Sequence, residues 1–276
     1  MIIPNKPMAG FEKHELSIPS PSSVNEFLTN RPMYVLRKLF GYKFSTEPPM
    51  ERGTATEKYL PDVLNGKIDI DEAVSLSLKH FDKMCNPEMK KYHEEKAVIP
   101  YLVRGAYEEL KNYGKLVSYQ EKIQGKINEY DYYGYTDFVF EKDGKNIIVD
   151  LKTTTKKPYK LSSSHARQVS LYSNALQCDA CLLYVIPYKV TDRKTKEITY
   201  RSEALWYEVE DKEKHINMTY EIIRNMDVFL YNCQDKYEVA KMCFPNSDDW
   251  SWNTEEKINA RRKVWEVECK KNRTTM

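Results

Sequence analysis

Asp137, Asp150 and Lys152 are of the types that hold a hard divalent cation and stabilise charge on a phosphoryl oxygen. Their spacing brings them together. Asp143-Gly144 separates two strand-like runs, 130–141 and 145–153, and Asp-Gly in that setting signals a two-residue hairpin turn. Residues equidistant from the turn pair, which sets Asp137 opposite Asp150. A four-residue loop from Lys142 to Lys145 keeps this pairing, whereas a three-residue loop breaks it. In this register Thr136, Phe138 and Phe140 share an apolar face with Ile147, Val149 and Leu151, and Asp137, Asp150 and Lys152 occupy the other face. Opposed carboxylates have Cβ atoms only ~4.5–5.5 Å apart and repel. Two arrangements relieve that repulsion: a bound divalent cation, or a solvent-facing pair neutralised by Lys152.

The elements around these residues follow from pattern and punctuation. The first ~110 residues read as helical, beginning with the serine-capped segment 20–28, which Pro32 kinks or breaks. A second helix runs through Gly53-Thr-Ala-Thr-Glu57 to Leu60, and a third follows Asp69 and Asp71, whose acidic stretch reads as a helix cap rather than a calcium loop. Strands are expected at 117–127, 130–141 and 145–153, then a helix at about 164–177, then strands at 180–190 and 201–209. The tail from 213 returns to helix. No repeat or low-complexity linker divides the chain, so the expectation is one domain over 1–276: a helical part to 115, an α/β core over 116–210 and a helical extension over 211–276.

With 43 Lys+Arg against 41 Asp+Glu in 276 residues, the net charge of +2 excludes a binder that works through bulk positive charge. Mean hydropathy is −0.69, no run reaches the ~20 apolar residues of a spanning helix, and the N-terminus lacks a leader pattern. A cytoplasmic protein with no membrane partner is expected. Six cysteines, at 85, 178, 181, 233, 243 and 269, are too dispersed for a disulfide framework.

Four segments, Gly53-Thr-Ala-Thr-Glu57, Gly134-Tyr-Thr-Asp137, Asp150-Leu-Lys152 and Gln168-Val-Ser-Leu-Tyr172, together with the Ser-x-Ser helix at 20–28, resemble the PD-(D/E)xK nuclease superfamily in its RecB-type and phage-exonuclease (RecE-like) branch. The resemblance spans about residues 18–190. It implies a central mixed β-sheet flanked by helices, a restriction-endonuclease-like core. It also implies Asp137 and Asp150 as metal ligands, with the Leu151 backbone carbonyl beside them. Glu57 would be a further ligand or a water-mediated support, and Lys152 the catalytic lysine. Many RecB-type members have His where this chain has Glu57, and several phage exonucleases have an acid.

Gln168 and Tyr172, i and i+4 on one helix, would line the site and contact nucleic acid or the lysine. His165, in the first turn of that helix, reads as a surface or capping residue. The basic run Lys156-Lys157-Pro-Tyr-Lys160 is placed to hold a phosphate backbone. Some RecB-type nucleases carry an iron–sulfur cluster, but Asn30-Arg31-Pro32 stands where they have a cysteine, and no cluster is expected. The resemblance implies a Mg²⁺- or Mn²⁺-dependent deoxyribonuclease, an exonuclease of the phage recombination type leaving 5′-phosphates. It further suggests a ring-shaped homo-oligomer and a single-strand annealing partner. An endonuclease or CRISPR-adaptation-type trimming enzyme of the same fold, or a non-enzymatic DNA-binding scaffold, are the alternatives.

Overall fold

The computed structural model describes residues 2–269. Its first elements are α1 (Ala9–Lys13), α2 (Pro21–Thr29), α3 (Arg31–Tyr34), α4 (Pro48–Glu57), α5 (Leu60–Leu64), α6 (Ile70–Met84) and α7 (Tyr92–Leu110). Five strands follow: β1 (Lys115–Tyr119), β2 (Lys122–Ile127), β3 (Tyr130–Tyr135), β4 (Phe138–Lys142) and β5 (Lys145–Thr153). After them come α8 (Ser163–Leu176), β6 (Asp179–Thr191), β7 (Ile198–Glu208), α9 (Lys212–Asn232), α10 (Lys236–Met242) and α11 (Glu255–Arg261). π-Helical segments extend α3 over Val35–Leu39 and α11 over Arg262–Glu268.

Side-chain caps set several helix starts. Ser20 and Ser23 cap α2 reciprocally, with Pro21 at the first helical position. Asn30 ends α2 and accepts the Met33 N–H to start α3, so the chain breaks ahead of Pro32 rather than kinking there. Asp69 accepts the Glu72 N–H at 2.8 Å and caps α6, as the acidic stretch implied. Each such cap contributes ~1 kcal/mol.

The chain forms two compact units interleaved in sequence: one from residues up to 45, 124–134 and 213 onward, the other from 46–123 and 135–212. In the first, Asp227 is fully buried and accepts the Met8 N–H at 3.0 Å, the Gly10 N–H at 2.7 Å and the Tyr130 hydroxyl at 3.2 Å. Gly10 is required there, since a Cβ would lie 2.1 Å from the Asp227 carbonyl oxygen. Trp252 and Trp265 are buried, their indole N–H groups donating to Asn246 and Ala240 carbonyls at 2.8 Å, while Trp250 is exposed.

The second unit holds a mixed five-stranded sheet in the order β1-β4-β5-β6-β7. β5 and β6 are parallel, joined through α8, and the other neighbours are antiparallel. Helices cover both faces. On one, α4, α6 and α7 pack on Phe138, Phe140, Val149, Leu151, Leu183 and Val185. On the other, Ala166, Val169 and Tyr172 of α8 pack on Val139, Ile148, Leu182, Tyr184 and Ile186. Burial of each large apolar side chain contributes ~1.5–3 kcal/mol, and covered faces explain why β5 and β6 read as nearly continuous apolar runs. The expected mixed sheet with helical N- and C-terminal parts is what the chain forms.

The hairpin register is also as expected. Phe138 faces Val149, and Lys142 faces Lys145 across Asp143-Gly144. Both turn residues have left-handed backbones, φ 52° and 73°, the geometry of a two-residue hairpin turn. Two expected strands differ: 117–127 is split into β1 and β2, which lie in different sheets, and 130–141 is interrupted as well. The run 130–141 is broken at Thr136-Asp137, so β3 pairs with β2 in a separate two-stranded sheet and only β4 joins the main one. Hydrogen bonds to the 120–121 loop hold the break: Thr136 N–H donates to the Glu121 carbonyl and Gln120 N–H to the Asp137 carbonyl, each at 3.0 Å.

Candidate active site

Asp137 sits at this break, immediately before β4, while Asp150 and Lys152 project from β5 on the face covered by α8. Freed from the ladder, Asp137 turns its Oδ2 to accept the Leu151 backbone N–H at 2.9 Å. The Lys152 Nζ lies 2.6 Å from Asp150 Oδ2 and 3.8 Å from Asp137 Oδ2. Asp150 is fully buried, so the solvent-facing arrangement does not hold for it. Glu57, at the C-terminal end of α4, joins through the loop before β2: the Gln120 side-chain amide donates to Glu57 Oε1 at 3.0 Å, and its backbone N–H is already committed to Asp137.

Three carboxyls thus share one ammonium. Burial, reinforced by the Asp150 charge, pushes the Asp137 carboxyl up to about 7 against the pull of Lys152. Burial and the Asp137 charge push Glu57 up to about 8. Burial works against the Lys152 ammonium, but Asp150 and Asp137 outweigh it and hold that group above the ordinary lysine range. The Tyr119 phenol, half-buried and near the charges of Glu57 and Asp137, is raised as well.

Gln168 and Tyr172 lie on the α8 face turned toward β5. Gln168 donates its amide hydrogens to Asp150 Oδ1 at 3.1 Å and to the Tyr172 hydroxyl at 2.9 Å. Tyr172 is buried, so in this arrangement the pair holds the aspartate. Lys156, Lys157 and Lys160 stay on an exposed loop between β5 and α8, where Lys157 pairs with Glu203.

Three features escaped the sequence reading. Gln120 carries no local signal, since its role depends on a loop meeting α4. Arg52, one residue before Gly53, forms a buried ion pair with Glu95 and donates to Thr153 Oγ1 at 3.3 Å and to its carbonyl at 3.2 Å, tying α4 and α7 to the end of β5. His165 is half-buried with its ring tilted against that of Tyr184, and Ser162 provides the α8 cap.

Residues 19–244 match the PD-(D/E)XK nuclease superfamily. The chain belongs to that superfamily. Among solved structures, one of a candidate exonuclease from Eubacterium rectale is 14% identical, covers 88% of this chain and 92% of its own, and has a TM-score of 0.49. Another, the protein SSO0001, is 13% identical over 73% of this chain and 82% of its own, with a TM-score of 0.30. No curated protein matches significantly in sequence. No described helix is long and apolar enough to cross a membrane.

Nucleases of this superfamily generally use divalent metals. Among the described residues no three His, Cys, Asp or Glu side chains converge as a ready-made metal cage. The donor set nevertheless fits a cation that takes one or two carboxylates and completes its shell with water and phosphate oxygens. Two observations support the fit. Asp150 Oδ2 is buried and, among the described residues, its one partner is the Lys152 ammonium at 2.6 Å, and the carboxyls outnumber that ammonium. Among the described residues no cysteine forms a disulfide, and all the cysteines but Cys178 are buried.

Proposed function

We propose that this PD-(D/E)XK protein is a Mg²⁺- or Mn²⁺-dependent exonuclease acting on DNA, of the phage recombination type. The observation that supports it best is the convergence of Asp137, Asp150 and Lys152 at a break in the sheet, with the lysine 2.6 Å from one aspartate and 3.8 Å from the other. Asp137 and Asp150 would hold the metal, with the Leu151 carbonyl beside them and Glu57 acting directly or through water. When bound, such a metal lowers the pKa of its water and polarises the scissile phosphate.

The chain's own groups do the rest. The Leu151 N–H fixes the Asp137 carboxylate, and Gln168, steadied by Tyr172, fixes Asp150. Lys152, held beside both aspartates, would donate from its ammonium to a non-bridging phosphate oxygen and stabilise charge that develops in the transition state. Burial under α8 limits water around these groups and strengthens each interaction.

Digestion of end-labelled linear DNA and of closed circular DNA, each with Mg²⁺, Mn²⁺ or EDTA, tests this. Progressive release from the labelled ends of linear DNA, intact circles and silence in EDTA are expected. Cutting of circles would make the enzyme an endonuclease, and binding without cleavage would make it a scaffold.

The loop that leads from β5 to α8 is proposed to track the DNA backbone. Its one ion pair, Lys157 with Glu203, is exposed and of the kind worth ~0.2–1 kcal/mol, too little to keep Lys157 from a phosphate. Neutralising Lys156, Lys157 and Lys160 together should weaken DNA binding and reduce the log–log salt slope by roughly 0.7–0.9 per lost contact. Turnover at saturating DNA should change little. Unchanged affinity and slope would leave the loop as a solvated turn.

A further inference from the structure

His165 has a place at the site that its sequence position does not suggest. On α8 it precedes Gln168 by three residues and Tyr172 by seven, so all three share the face turned to the sheet. Tyr184 on β6 is the parallel-register partner of Lys152 and so stands beside it on that face. The Tyr184 hydroxyl lies 2.5 Å from His165 Nδ1, with the two rings 5.7 Å apart. His165 therefore borders Lys152 on the β6 side, as Asp137 does on the β4 side. Both Lys152 and Asp150 act electrostatically on the imidazole.

The contact with Tyr184 bears on which nitrogen carries the proton. The Tyr184 oxygen accepts from the Ser162 backbone N–H, which leaves its own proton to donate, and His165 Nδ1 lies in reach at 2.5 Å. With Nδ1 accepting, the neutral ring carries its hydrogen on Nε2. Burial lowers the His165 pKa and favours that neutral form. Nε2 makes no hydrogen bond to any described residue, and the side chain is only half-buried. The result is a donor whose tautomer and orientation are set from behind by a tyrosine.

We infer that His165, held in its Nε2–H form by Tyr184, donates a hydrogen bond to a backbone phosphate of bound nucleic acid next to the one that Lys152 contacts. This rests on the nuclease reading above and assigns a further residue to that site. A flanking phosphate keeps its charge throughout the reaction, so the contact strengthens substrate and transition state alike and acts on KM rather than kcat.

Three variants of the full chain test it. His165→Phe should raise KM roughly 3- to 10-fold, the range of one neutral hydrogen bond, with kcat nearly unchanged. His165→Gln, which keeps a donor, should restore most of the affinity. Tyr184→Phe, which removes the hydroxyl that selects the tautomer, should raise KM as well. In parallel, ¹⁵N NMR of histidine-labelled protein in EDTA should show His165 protonated at Nε2, and that nitrogen should shift when a short DNA duplex is added. A proton on Nδ1, an unmoved Nε2 with duplex bound, or a His165→Phe variant with parental KM would each overturn the assignment. If the parent binds duplex but never cleaves it, the nuclease reading fails while the nitrogen resonances still decide the role of His165.

Discussion

Lys152→Ala is expected to lower kcat about 10²- to 10³-fold, the usual cost of losing one donor to a developing oxyanion. The DNA Kd should change far less, because the ammonium is held beside the aspartates. The variant carries a second signature. Without metal, Lys152 is the counterion of fully buried Asp150, 2.6 Å away. Removing one member of a buried ion pair leaves an uncompensated charge, typically at a cost of 3–5 kcal/mol, which this partly open site would lessen. Lys152→Ala should therefore melt below the parent in EDTA and recover when Mn²⁺ replaces the lost charge. Single-turnover cleavage and melting with and without Mn²⁺ give both readings. Near-parental turnover in a folded variant would remove Lys152 from the mechanism, and an unchanged melting temperature in EDTA would deny its counterion role.

The parts of this site that were legible in the sequence are those fixed by local rules. A two-residue turn with both residues left-handed admits one register, so Asp143-Gly144 was enough to set β4, which follows Asp137, against β5, which carries Asp150. Glu57 and Gln168 fell on segments that read as helices, and the resemblance to the nuclease superfamily implied that both stand near the site. What was hidden depends on segments distant in sequence. The break at Thr136-Asp137, which frees Asp137 to bond the Leu151 N–H, is held by backbone groups of residues 120 and 121. Nothing in a strand-like run announces that another loop will interrupt it. The face that carries Asp150 looked polar by alternation, yet α8 covers it, because β5 has a parallel neighbour and a crossover helix must pack on one side. The partner of His165 was hidden for the same reason: Tyr184 belongs to the next strand. α7 was not delimited either, as Pro100 interrupts its pattern but not the helix itself.

The charge imbalance at the site also predicts how stability responds to pH. Asp137 rises from an ordinary 3.8 to about 7 on folding, and Glu57 from 4.5 to about 8. A carboxyl whose folded pKa is raised binds its proton more tightly in the native state than in the unfolded chain. Its stabilising contribution is complete below the unfolded pKa and is lost as pH rises through the folded one. The metal-free protein should therefore lose stability as pH rises between about pH 4 and pH 8. Asp137→Asn removes the group that would have to ionise. Its amide oxygen can still accept the Leu151 N–H, Lys152 keeps its bond to Asp150, and Glu57 loses the neighbour whose charge is the largest electrostatic contribution to its raised pKa. The variant should melt above the parent near pH 8 in EDTA, the difference shrinking toward pH 4, where the parent carboxyl is protonated. Saturating Mg²⁺ should reverse the order, because the parent gains the cation and the variant gains it more weakly. Melting curves of both proteins across this range, with EDTA and with Mg²⁺, make the comparison. A variant that melts below the parent in EDTA at the upper end would show that Asp137 is not held against its charge.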